Sequence, residues 1–82
     1  MGKKLKLEDF EVGDFCSVIN SKGDYWLLKV LKIGNYQMET KKIEGPKRKL
    51  NSKLIFVTYQ NLTNNEFTFT KLNTRTARIL YG

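Results

Sequence analysis

The sequence contains no histidine, one cysteine and one proline among 82 residues. Without histidine it lacks the side chain that most often serves as general base or metal ligand, and the lone Cys16 can form no internal disulfide and no zinc, haem or iron–sulfur ligand set. We therefore expect no metal and no cofactor. No run approaches the roughly 18 apolar residues of a membrane span, and Met1–Lys6 carries positive charge with no apolar stretch behind it, so the expected setting is the cytoplasm, with no membrane partner. Gly2 opens a myristoylation-like start, but Lys6 stands where Ser or Thr is needed, and Asn61-Leu62-Thr63 is a glycosylation sequon only in a secreted chain. Neither is expected to be used. Ser and Thr occupy no nucleophile elbow or phosphate loop, and acids cluster only at Glu8, Asp9, Glu11 and Asp14, so a binding protein is expected rather than an enzyme. A carboxylate–metal nuclease is the one catalytic alternative.

What is present is positive charge. Fifteen Lys and Arg face eight Asp and Glu, a net charge of +7 and a pI near 9.7. The excess is local: residues 41–53 carry +5 and residues 67–82 carry +3. Such clustering favours polyanionic partners, whereas solubility alone does not require it.

The length fits one domain, residues 1–82, with one modest core. Gly13, Ser21–Asp24, Gly34-Asn35, Gly45-Pro46 and Asn64-Asn65 punctuate the chain at roughly 10-residue intervals, the rhythm of short strands in a barrel or sandwich. Strands are expected at Phe15–Ile19 and Tyr36–Ile43. In Glu66–Leu72 the two Phe residues share one face and two Thr residues the other, the period of a strand. Lys53–Gln60, rich in Ile, Phe, Val, Thr and Tyr, is expected to form a hairpin with that run through Asn61–Asn65. Ala77–Tyr81 reads as a closing strand. Tyr25–Ile33 fits either a strand, with Trp26, Leu28 and Val30 together, or a short helix capped by Asp24 and ended by Gly34; strand is preferred because neighbouring strands need a partner. The fold class is thus all-β, a five-stranded antiparallel small barrel with one short helix at 25–33 as an option.

Phe10-Glu11-Val12-Gly13-Asp14-Phe15, followed after a Lys-Gly-Asp turn by Tyr25-Trp26-Leu27-Leu28-Lys29-Val30, resembles the opening of SH3-like small barrels of the Tudor and KOW type. In such an opening Gly tolerates the tight turn and Asp bonds local amides, aiming the next strand. The resemblance covers residues 10–33 and implies binding of nucleic acid or peptide rather than catalysis. Tyr25, Trp26, Tyr36 and Tyr59 supply the aromatics that a Tudor cage would need, and Ile33-Gly34-Asn35 is a loose counterpart of the Gly-centred KOW loop.

The main candidate site is Lys41, Lys42, Lys47, Arg48 and Lys49 around the Gly45-Pro46 turn, continued by Lys53. An exposed turn lets these side chains reach a phosphate backbone, and each neutralised phosphate releases condensed counterions. Lys71, Arg75 and Arg78 form a second basic group. Tyr36 and Tyr59 are the candidate base-stacking residues. The expected partner is RNA or single-stranded DNA, RNA being favoured, bound without sequence readout. The plain alternative is a solvated loop with no ligand. The functional rival is a small accessory protein that docks on, and inhibits or redirects, a host protein such as a nuclease. The Lys- and Asn-rich brevity resembles that of accessory proteins of large tailed bacteriophages.

Overall fold

The structure, a computed structural model, describes residues 5–72 and 74–81. Gly2, Lys3 and Lys4 lie outside the described residues. A single turn of 3-10 helix, Leu7–Asp9, leads into β1 (Phe15–Asn20), β2 (Tyr25–Ile33), β3 (Gln37–Glu44), α1 (Ser52–Ile55), β4 (Phe56–Thr58), α2 (Tyr59–Thr63), β5 (Phe67–Lys71) and α3 (Thr74–Tyr81). The five strands form one antiparallel sheet in the order β4-β3-β2-β1-β5, curled into a half-barrel. The domain is mainly β, as expected, and Tyr25–Ile33 is strand throughout.

The turn into β1 is built as its sequence implies. Gly13 adopts φ +95°, and the Asp14 carboxylate accepts a hydrogen bond from the Glu11 amide at 2.7 Å. Asp14 is buried, and Val30 donates its amide to the Asp14 carbonyl at 2.8 Å, so the turn is stitched to β2. In the next turn the Asn20 side chain accepts from the amides of Lys22 (3.0 Å) and Asp24 (2.9 Å), and Gly23 takes φ +88°.

Strand alternation sorts the side chains. On the inner, concave face Cys16, Val18, Trp26, Leu28, Val30, Met38, Val57 and Phe67 form the main core, closed by Leu54 of α1, Leu62 of α2 and Phe10. The Thr40 hydroxyl donates to the Leu54 carbonyl and ties α1 to β3. Helix α2 packs against both β4 and β5, bridging the two edge strands. The outer face carries a second, smaller core in which Ala77 of α3 packs on Phe15 and Leu27, flanked by Ile43 and Leu72.

Two expectations are corrected. Lys53–Gln60 and Glu66–Leu72 make no hairpin: β4 pairs with β3 and β5 with β1, at opposite edges of the sheet. The first segment is broken by caps. Asn51 accepts from the Lys53 amide and starts α1, and a reciprocal Thr58–Asn61 capping box starts α2, leaving three residues for β4. The expected closing strand at Ala77–Tyr81 is instead part of α3, a helix that lays Ala77 on Phe15 and Leu27 and so covers part of the outer face of the sheet.

Candidate nucleic-acid interface

The basic residues separate into two surfaces. The 45–51 loop lies at the end of the sheet where the β1–β2 turn also sits, because β3 ends at Glu44 opposite Leu27. Gly45 (φ +150°) packs so closely on the inner-face Trp26 that a Cβ there would stand 2.7 Å from Cδ1. Beside it Arg48 sits 5.7 Å from the Trp26 ring centroid and donates to the Asp24 carboxylate at 2.5 Å. That contact, then the Asn20 amide, holds the Asp24 carboxyl below the ordinary aspartate range.

Much of the expected loop site is committed internally. Lys42, half-buried on the inner face opposite Leu28, donates to the Pro46 carbonyl at 2.5 Å. Lys53 pairs with Glu66 at 3.0 Å. Lys71 donates to the Asp9 carbonyl at 2.7 Å and lies 3.5 Å from Asp14, which pins the N-terminal segment to β5. Lys47 and Lys49 are exposed, with no ion-pair partner among the described residues.

The other surface is the outer face. Lys29 of β2 and Lys41 of β3 are directly opposite in the register, so both project outward from neighbouring strands. Lys29 is half-buried over the Phe15 ring, 5.7 Å from its centroid, whereas Lys41 is exposed. One row further along, Lys32, Glu39 and Phe56 align across β2, β3 and β4, with Phe56 43% exposed. In the other direction Leu27, with Ile43 beside it, packs with α3, whose exposed Arg75 and Arg78 flank Ala77. Thus Lys41, Arg75 and Arg78 share the outer face with Lys29, while Lys47, Arg48 and Lys49 stand at the inner mouth. The two expected groups do not form a single strip.

Tyr36 (83% exposed) and Tyr59 (55% exposed) come together at one end of the β3–β4 ladder, each one residue beyond the Gln37–Thr58 pair. The basic loop is at the other end of β3, about 23 Å away at roughly 3.3 Å per residue. Tyrosines and loop therefore do not make one surface. Nor do the four cage aromatics converge: Trp26 is buried on the inner face, and Tyr25 projects from the outer face beside Ile19.

Sequence reasoning missed Lys29, Lys32 and Phe56 as candidate site residues. Their juxtaposition depends on the β2–β3 register, which is shifted between Leu27 and Leu28 and between Val30 and Lys32. No group of three or more metal-ligating side chains occurs among the described residues, and no helix among them is long and apolar enough to cross a membrane. Comparisons with family models, curated proteins and solved structures find no significant match.

Proposed function

We propose that this domain is a non-catalytic module that holds a strand of RNA or single-stranded DNA along the outer face of its sheet. Lys29 and Lys41 make the central phosphate contacts, Arg75 and Arg78 of α3 extend them, and Phe56 offers a ring for base stacking. The carrying observation is the cross-strand Lys29–Lys41 pair. Like charges directly opposite one another cost folding stability, so this outer-face pair, with Lys41 exposed, Lys29 half-buried and no bridging carboxylate among the described residues, is suited to an anionic ligand. The Val-Gly-Asp opening and the curled five-stranded sheet are compatible with an SH3-like barrel of the Tudor or KOW type, a class of binding modules. Lys and Arg on an extended face suit sequence-tolerant capture of the backbone.

The test is a salt titration of binding to labelled single- and double-stranded RNA and DNA. The log of affinity is expected to fall linearly with log salt, by about 0.7 per phosphate contact for single strands, and replacing Lys29 and Lys41 by Ala should make the slope shallower by about 1.4. An unchanged slope in the double variant would remove these lysines from the interface. A second reading, docking on a protein, draws on the 80% exposed Ile79 and 66% exposed Leu80 of α3. It takes precedence if no strand binds with salt dependence.

A further inference from the structure

At the inner mouth, away from the outer-face lysines, the β1–β2 turn, the 45–51 loop and the start of β5 enclose a cleft of about 380 Å³. Its size falls within the range of about 300–1,000 Å³ typical of small-molecule sites, but its walls are mainly polar rather than apolar. We infer that this cleft binds a phosphate monoester, held by Arg48 between Lys22 and Lys49.

The charge pattern leads to this ligand. Two acids line the cleft, and each already has a cationic partner: Asp24 is bound to Arg48 at 2.5 Å and Glu66 to Lys53 at 3.0 Å. Lys22 and Lys49 also line it, and neither has an ion-pair partner among the described residues. Lys22 also acts on the Asp24 carboxyl from a distance, yet with Arg48 and Lys53 set against the two acids the cleft keeps an excess of two positive charges, which matches the dianion of a phosphate monoester better than the single charge of a backbone diester.

Arg48 supplies the geometry. Its guanidinium is held between the Trp26 ring and the Asp24 carboxylate, and a single hydrogen bond to that carboxylate uses one of its five N–H donors. These two contacts orient the planar fork and leave its other N–H donors for phosphate oxygens. The Asn51 side-chain oxygen Oδ1 accepts from the Lys53 amide, which leaves the side-chain NH₂ as a further donor on the cleft wall. The same chemistry is offered by a free nucleotide and by the phosphorylated end of a nucleic-acid strand.

Trp26, the only tryptophan in the sequence, lines the cleft under Arg48 and reports on its occupancy. The experiment titrates the intact protein, at constant ionic strength, with adenosine 5′-monophosphate, adenosine, and a short oligonucleotide with and without a 5′-phosphate, following Trp26 fluorescence and the amide resonances of residues 48 and 49. Saturable changes are expected with the monophosphate and the phosphorylated oligonucleotide, and none with adenosine. A phosphorylated oligonucleotide that binds more tightly than both the unphosphorylated one and the monophosphate makes the strand end the source; monophosphate binding with no difference between the two oligonucleotides makes it the free nucleotide. Lys22→Ala combined with Lys49→Ala should weaken binding at least tenfold. Both side chains are exposed and in no ion pair among the described residues, so the fold is retained and the loss is read on a folded protein. An equal response to adenosine, or binding unaffected by the double substitution, would overturn the inference. Replacing Lys29 and Lys41 should leave monophosphate binding unchanged, so the cleft and the outer face stand or fall separately.

Discussion

Gly45 rests against the edge of the Trp26 indole so closely that any side chain there would collide: an added Cβ would lie 2.7 Å from Cδ1 and 3.2 Å from the Tyr25 carbonyl oxygen. Its φ of +150° is also one that L-residues rarely adopt. Gly45→Ala should therefore destabilise the fold by about 1–3 kcal/mol through overpacking and backbone strain. Urea denaturation followed by Trp26 fluorescence measures this, and an unaltered midpoint would mean that the loop does not pack on the indole.

The Arg48–Asp24 contact predicts a titration. Arg48, then Asn20, lowers the Asp24 carboxyl below its ordinary value, so the stabilisation from this contact is present above that value and is lost as pH falls through the folded one. Carboxyl-detected NMR should find Asp24 titrating at lower pH than a free aspartate, and Arg48→Gln should move its midpoint upward. If the midpoint stays where it was in the variant, the guanidinium is not what sets it. Because Asp24 is at the surface, salt should also weaken the effect.

Cys16 is fully buried between β2 and β5, and burial pushes its thiol up to about 12 despite a backbone hydrogen bond that favours the thiolate. A neutral, enclosed thiol is inert. The native protein should therefore fail to react with a disulfide reagent at pH 8 on the timescale of minutes and react at once in denaturing urea. Since the folded value lies above the unfolded one near 9, stability from this group is complete below pH 9 and declines as pH rises toward 12. Rapid modification of native protein would place Cys16 in a more open environment.

The parts of the fold legible in the sequence were those governed by local rules. Gly13-Asp14 and the Asn20–Asp24 turn have the backbone roles that their residue types require, and the alternation in Phe67–Lys71 marks a strand. Tyr25–Ile33 was ambiguous for a physical reason: Leu27 is buried on the outer face under α3 while Trp26, Leu28 and Val30 are buried on the inner face, so the run is apolar on both sides and its period is masked. Thr58-x-x-Asn61 was a readable cap inside a segment otherwise rich in strand formers. The candidate sites were less legible because they depend on distant pairings. Arg48 finds Asp24 across 24 positions and Lys53 finds Glu66 across 13, and no local pattern announces which cations are taken.

The Lys29–Lys41 pair separates stability from binding, since the repulsion that a phosphate would relieve is also relieved by a carboxylate. Lys41→Glu places an acid directly opposite Lys29 and should raise stability by about 0.2–1 kcal/mol. The same change removes one phosphate contact and adds a repulsive charge, so affinity for single strands should fall and the salt slope should become shallower by at least 0.7. A destabilised variant that binds less well would be uninformative by itself, but a more stable protein that binds less well cannot owe its loss to unfolding. Paired measurements of urea midpoint and strand affinity on Lys41→Glu therefore test the outer face directly. Higher stability with undiminished strand binding would show that the two lysines repel one another without contacting the ligand, and the proposed interface would have to move elsewhere.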